Sequence, residues 1–149
     1  MANRFKTIFA SFGIAFILIV FEYFLESSFL SLFLKENLVG LLLTLMAINT
    51  ATSTVISGKL EEISERTGAD FADVIKEIKF SLVEQIALII MAVILLIIED
   101  SKVLETKVEY FDTLINILLA TILVYAVDIL RDTGVAIFNI VIELSKKND

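Results

Sequence analysis

Few side chains in this sequence are equipped for chemistry, and most of those lie in apolar surroundings. In the stretch "NTATSTVIS", Asn49, Thr50, Thr52, Ser53 and Ser57 fall on one broad face when placed at 100° per residue. Further on, Thr121, Tyr125, Asp128 and Asp132 follow an i, i+4, i+7, i+11 spacing. Near the start, Thr7, Ser11, Ala15, Glu22 and Glu26 cluster on one side of a helix. Two kinds of chemistry fit such groups. They can hydrogen-bond one helix to another, with small residues letting the backbones approach. Alternatively they can line a water-filled path, with Asp128 near an inner mouth and Glu22 and Glu26 near an outer one. Ser and Thr can also bond back to their own helix, which costs little in lipid. No acid or base falls midway along these segments, so neither a proton relay nor a charged-substrate site is expected.

The elements that must position these residues follow from hydrophobicity. Apolar residues make up 58% of the 149, against roughly 45–50% in ordinary soluble domains on a count that includes Gly. A chain of this length has a normal core without that excess, so the excess faces something other than water. Residues 5–25, 38–57, 80–98 and 110–130 are each long enough to cross a hydrocarbon core of about 30 Å. The third is the ambiguous one. Its bare apolar run, residues 86–98, has the length of a buried soluble helix, about 10–14 residues. It spans only if Glu84 and Gln85 lie near an interface, reaching head groups or pairing with Lys79 or a neighbouring helix. Four such helices in water would have almost no polar face, which decides for a membrane. The first segment runs on into "FEYFLESSF" with no small-residue cleavage site and reads as a retained anchor. There is no Pro, and Gly13 is the one glycine deep inside an apolar segment. Straight helices are therefore expected, rather than the broken ones of transporters.

Charge placement gives an orientation. With four spans, one side holds Arg4 and Lys6, then Lys59, Arg66, Lys76 and Lys79, then Arg131, Lys146 and Lys147. The other holds Lys35, Lys102 and Lys107. The positive-inside rule puts both termini and the central loop in the cytoplasm of a bacterial inner membrane, with Tyr23 and Tyr110 in the outer aromatic belt. The loop over residues 58–79 reads as a helical hairpin that prolongs spans two and three. Gly68 suits a left-handed helix end and Asp70 caps the next helix. Glu61, Glu62, Glu65, Asp70, Asp73 and Glu77 make the hairpin acidic, fitting a cytoplasmic partner protein rather than a metal ion. Residues 133–147 are amphipathic and read as a helix lying in the inner interface, capped by Asp132 or Thr133, or packing on a sister subunit. Residues 27–37 either lie on the outer surface or lengthen span one. The fold expected is an all-α integral membrane four-helix bundle with these two appendages.

Several function classes drop out. Without Cys or His there is no disulfide framework, thiolate nucleophile, usual zinc ligand or neutral-pH proton shuttle. No phosphate loop or activated serine is present, so no enzyme activity, catalytic residue, metal or cofactor is expected. The net charge of −7 excludes a phosphate-binding face for nucleic acid. Nor is there a polybasic segment for anionic lipid.

The hydroxyl-rich second span that flows into a charged helix, "LLLTLMAINTATSTVISGKLEEI", and the return through "IKFSLVEQIALII" resemble small four-span bacterial and phage membrane proteins of the lambda phage-exclusion type. That resemblance covers spans two and three and the loop between them. It implies a membrane ion channel that aborts phage infection. This chain departs from it in having an acidic loop where the lambda-type protein is basic. Two functions are expected on these grounds: a homo-oligomeric pore or membrane-perturbing effector, and a non-conducting scaffold that docks a cytoplasmic partner through the hairpin.

Overall fold

A computed structural model describes the backbone of residues 2–68, 70–101 and 111–147, and the side chains of 4–66, 68, 70–101 and 111–135. It is an all-α bundle of four long helices: α1 (Ala2–Phe24), α2 (Phe29–Thr67), α3 (Ala72–Glu99) and α4 (Phe111–Lys147). Each is long and apolar enough to cross a membrane. Consecutive helices run antiparallel. The end carrying the start of α1 and the α2–α3 turn is called the near end below, and the end carrying the α1–α2 turn the far end. Tyr110, Lys102 and Lys107 lie outside the described residues.

Helix α4 packs against all three others, while α1 rests mainly on α4. Its span is 44% buried, against 17–22% for the other three. The sequence accounts for this difference. Ile115, Leu119, Ile122, Ala126 and Ile129 on one side and Ile117 and Ala120 on another are all buried, so α4 is apolar toward several neighbours. Helix α2 instead buries a single heptad-spaced stripe, from Leu34, Leu38 and Leu42 through Asn49 and Ser53 to Ile56 and Leu60. Outside these seams the surface is itself apolar. Phe5, Phe9, Ile17, Phe21 and Phe24 on α1 and Ile90 and Ile97 on α3 are exposed. Side chains of this kind covering a whole surface require hydrocarbon as solvent. The protein is a multi-pass membrane protein.

The two described turns are closed by different chemistry. At the near end Gly68 takes φ 70° and its N–H donates to the Ser64 carbonyl at 2.8 Å, ending α2. A Cβ is disfavoured at that φ, so glycine fits. Asp70 Oδ1 then accepts the Ala72 N–H at 2.9 Å and starts α3. At the far end the same left-handed position falls on Glu26, at φ 52°. The Ser27 N–H donates to the Glu22 carbonyl and the Glu26 N–H to the Tyr23 carbonyl, both at 3.1 Å. That pair of bonds is a Schellman closure.

Two boundaries differ from those expected. Residues 27–37 neither lengthen span one nor form a separate surface element: α1 stops at Phe24 and Phe29 opens α2. Residues 133–147 continue α4 without a break, so they are not a separate helix. The expected cap at Asp132 or Thr133 does not form. Asp132 pairs with Arg131, and Thr133 Oγ1 donates back to the Ile129 carbonyl at 3.1 Å, keeping both residues helical.

Candidate functional site

Asn49, Ser53, Glu84 and Gln85 gather in one polar layer toward the near end, while the buried Ser11, Glu22 and Asn116 lie elsewhere. Asn49 has no exposed surface, and its Nδ2 donates to Gln85 Oε1 at 3.0 Å and to Ser81 Oγ at 3.1 Å, joining α2 to α3. Three buried atoms of this cluster have no partner: Asn49 Oδ1, Ser53 Oγ and Gln85 Nε2. One residue before Gln85, Glu84 forms an ion pair with Arg4 of α1, and Oε1 accepts the Tyr125 hydroxyl of α4 at 3.2 Å. The Arg4 guanidinium also lies over the Phe80 ring, 4.3 Å from its centroid. All four helices thus contribute to the layer.

Its depth can be counted along the helices. Lys35 pairs with Glu99 at the far end, in the same antiparallel register as Asn49 with Gln85. Fourteen residues separate the two pairs on each helix, about 21 Å at 1.5 Å per residue. Lys79, six residues before Gln85, lies about 9 Å further toward the near end. The two distances fill a hydrocarbon core of about 30 Å. The polar layer therefore sits inside the membrane, about one-third of the way in from the near side.

The residues expected to line one path separate into groups that face different ways. Asn49 and Ser53 turn inward to α3. Thr50 is exposed, and its hydroxyl donates to the Met46 carbonyl at 2.8 Å. Thr52 and Ser57 are half-buried. Thr121 bonds back to the Ile117 carbonyl at 2.7 Å, and Tyr125 is committed to Glu84. Asp128 pairs with Arg131 at 2.7 Å. A face that spans 100° or more must meet more than one neighbour, which is why the stripe divides.

Glu22 and Glu26 take up the corner between α1 and α2. The Glu22 carboxylate is buried and accepts the Ser31 N–H at 3.0 Å and the Ser31 hydroxyl at 2.7 Å, so it caps α2. Glu26 is exposed in the turn itself. On the hairpin, Glu61, Glu65, Asp70, Asp73 and Glu77 are exposed. Glu62 is held between Lys59 at 2.9 Å and Arg66 at 2.8 Å. Among the described residues no three acidic side chains converge as metal ligands would.

Some participants were missed from sequence. Arg4 registers there only as an orienting charge, and Ser81 and Asn116 draw no notice, although Asn116 is buried with an unpartnered Oδ1. The outer face of α2 was missed as well. Gly40, Thr44, Ala47, Ala51, Thr54 and Gly58 recur at alternating spacings of four and three, and all six are exposed. Thr44 and Thr54 bond back to the Gly40 and Thr50 carbonyls, each at 2.9 Å. This face was legible as a heptad of small residues, but attention to hydroxyls alone splits it. No protein-family model, curated protein or solved structure matches the chain.

Proposed function

We propose that the protein is a homo-oligomeric membrane effector that makes the bilayer permeable to ions, its copies meeting along the outer face of α2. The observation that carries this reading is the exposed small-residue heptad from Gly40 to Gly58. In lipid there is no hydrophobic force between helices, and close backbone approach over small residues is what holds them together. Because Thr44, Thr50 and Thr54 satisfy themselves on their own helix, the face is smooth and has no unpaired donor. Assembly about α2 would place these threonines round the common axis, with the Asn49–Gln85 layer directly behind them. The placement of lysine and arginine supports both termini in the cytoplasm of a bacterial inner membrane, and the resemblance to phage-exclusion proteins supplies abortive infection as the setting.

Ion flux into liposomes tests the reading. Wild-type protein conducts, and Ala47→Leu with Ala51→Leu removes both the cross-linked oligomer and the flux. Conduction by a protein that stays monomeric would overturn it. A second reading rests on the hairpin, whose exposed carboxylates suit a basic cytoplasmic protein. A silent wild-type chain that retains such a partner on purification would establish that scaffold role instead.

A further inference from the structure

Between α1 and α4, at the near end, the helices part to leave a cavity of about 290 Å³. Its walls include Thr7, Ser11 and Ile14 of α1 and Val127, Asp128 and Arg131 of α4. Small side chains on α1 open the space: Thr7, Ala10 and Ser11 occupy one turn where bulky residues otherwise prevail. Ile14 and Val127 are each 50% exposed, so the cavity opens sideways into hydrocarbon rather than along the bundle axis. Arg131 is twenty residues from Phe111, where α4 begins, about 30 Å along the helix and so at head-group level. The opening runs from that level inward along apolar wall. This is the shape of a seat for one phospholipid.

The charges specify which phospholipid. Asp128 is largely shielded, with 16% of its side chain exposed, while Arg131 is 66% exposed. Arg131 meets Asp128 and Asp132 through the same nitrogen, Nη2. Its Nη1 hydrogens and its Nε–H are engaged by neither carboxylate and can donate to a phosphate. Two carboxylates around one guanidinium leave a net negative charge, which disfavours an anionic head group and favours an ammonium. We infer that the α1–α4 cleft binds a zwitterionic phospholipid with a primary-amine head group. The phosphate lies on Arg131, the ammonium donates to Asp128 and the hydroxyl-bearing turn of α1, and one acyl chain lies against Ile14 and Val127.

Native mass spectrometry of the full chain tests the inference, in detergent with equimolar phosphatidylethanolamine, phosphatidylcholine and phosphatidylglycerol. One phosphatidylethanolamine per protomer is expected to survive, at about tenfold over either competitor, the ratio one charge-assisted hydrogen bond supports. Choline has no N–H to donate, and glycerol has no cation. Asp128→Asn brings the three lipids within about twofold of one another, and Val127→Trp, which fills the cleft, removes the retained lipid. Soluble glycerophosphoethanolamine does not displace the lipid, because the wall contributes to its binding. Equal retention of the three lipids by wild-type protein overturns the inference without reference to any variant. Displacement by the soluble head group overturns the claim that a lipid is the ligand.

Discussion

The two ends of the bundle are tied in contrasting ways. At the far end the closure is local: Glu22 uses its backbone carbonyl on Ser27 and its carboxylate on Ser31, nine residues away. Near the other end the links are remote. Glu84 draws in Arg4 and Tyr125, which needs α1, α3 and α4, and Asn49 reaches Ser81 and Gln85 across α2 and α3, so the layer is complete only when all four helices have assembled. A local corner can form as soon as α1 and α2 exist, whereas a remote layer reports that the whole bundle is in place. Losing the corner loosens one junction. Losing the layer loosens every helix, and in hydrocarbon each stranded group lacks even water to turn to.

The largest effect should come from Glu84→Ala. It strands a guanidinium and a phenol together, and unfolding in a graded detergent series is expected to show a loss of about 2–3 kcal/mol. Glu84→Gln keeps an acceptor for Tyr125 and restores part of that. A change below about 0.5 kcal/mol would mean that the remote layer does not hold the bundle.

Next comes Asn49→Leu, which leaves Gln85 Oε1 buried and unserved and should cost about 1–2 kcal/mol. Adding Gln85→Leu removes the remaining buried amide and should bring stability back toward wild type. A double variant worse than either single one would contradict the account of the unpartnered atoms. At the far end, Glu22→Ala removes one helix cap and should cost about 1 kcal/mol. Its effect should overlap that of Ser31→Ala in a double-mutant cycle, because both act through one contact. The smallest change is a gain. Glu26→Gly relieves a left-handed non-glycine and should raise stability by about 0.5–1 kcal/mol, as the same detergent series would register.

What the sequence disclosed follows the same division between local and remote. Three of the four apolar lengths were plain, because a helix that crosses hydrocarbon needs a long run, and the third became one only when the residues upstream of Glu84 and Gln85 were counted. The junction at Gly68 and Asp70 was equally legible, since left-handed backbone and a cap are properties of neighbouring residues. The boundary after Asp132 misled, for Asp132 and Thr133 look like the cap of a new helix until Arg131 and the Ile129 carbonyl engage them. Partners distant in the chain stayed hidden. Nothing near Glu84 names Arg4, eighty residues earlier, or Tyr125, forty-one later. The inward turn of Asn49 and the outward turn of Thr50 are set by where α3 packs, and periodicity alone does not contain that. The corner was missed too, although it is local, because a carboxylate at a span end suits a channel mouth as well as a helix cap.

Helix α2 runs from Phe29 to Thr67 with no interruption. Beyond the level opposite Lys79 it carries on for some 18 Å at 1.5 Å per residue, outside the hydrocarbon. Whatever grips the tip at Glu61 and Glu65 holds the same unbroken helix that carries Asn49 to Gln85.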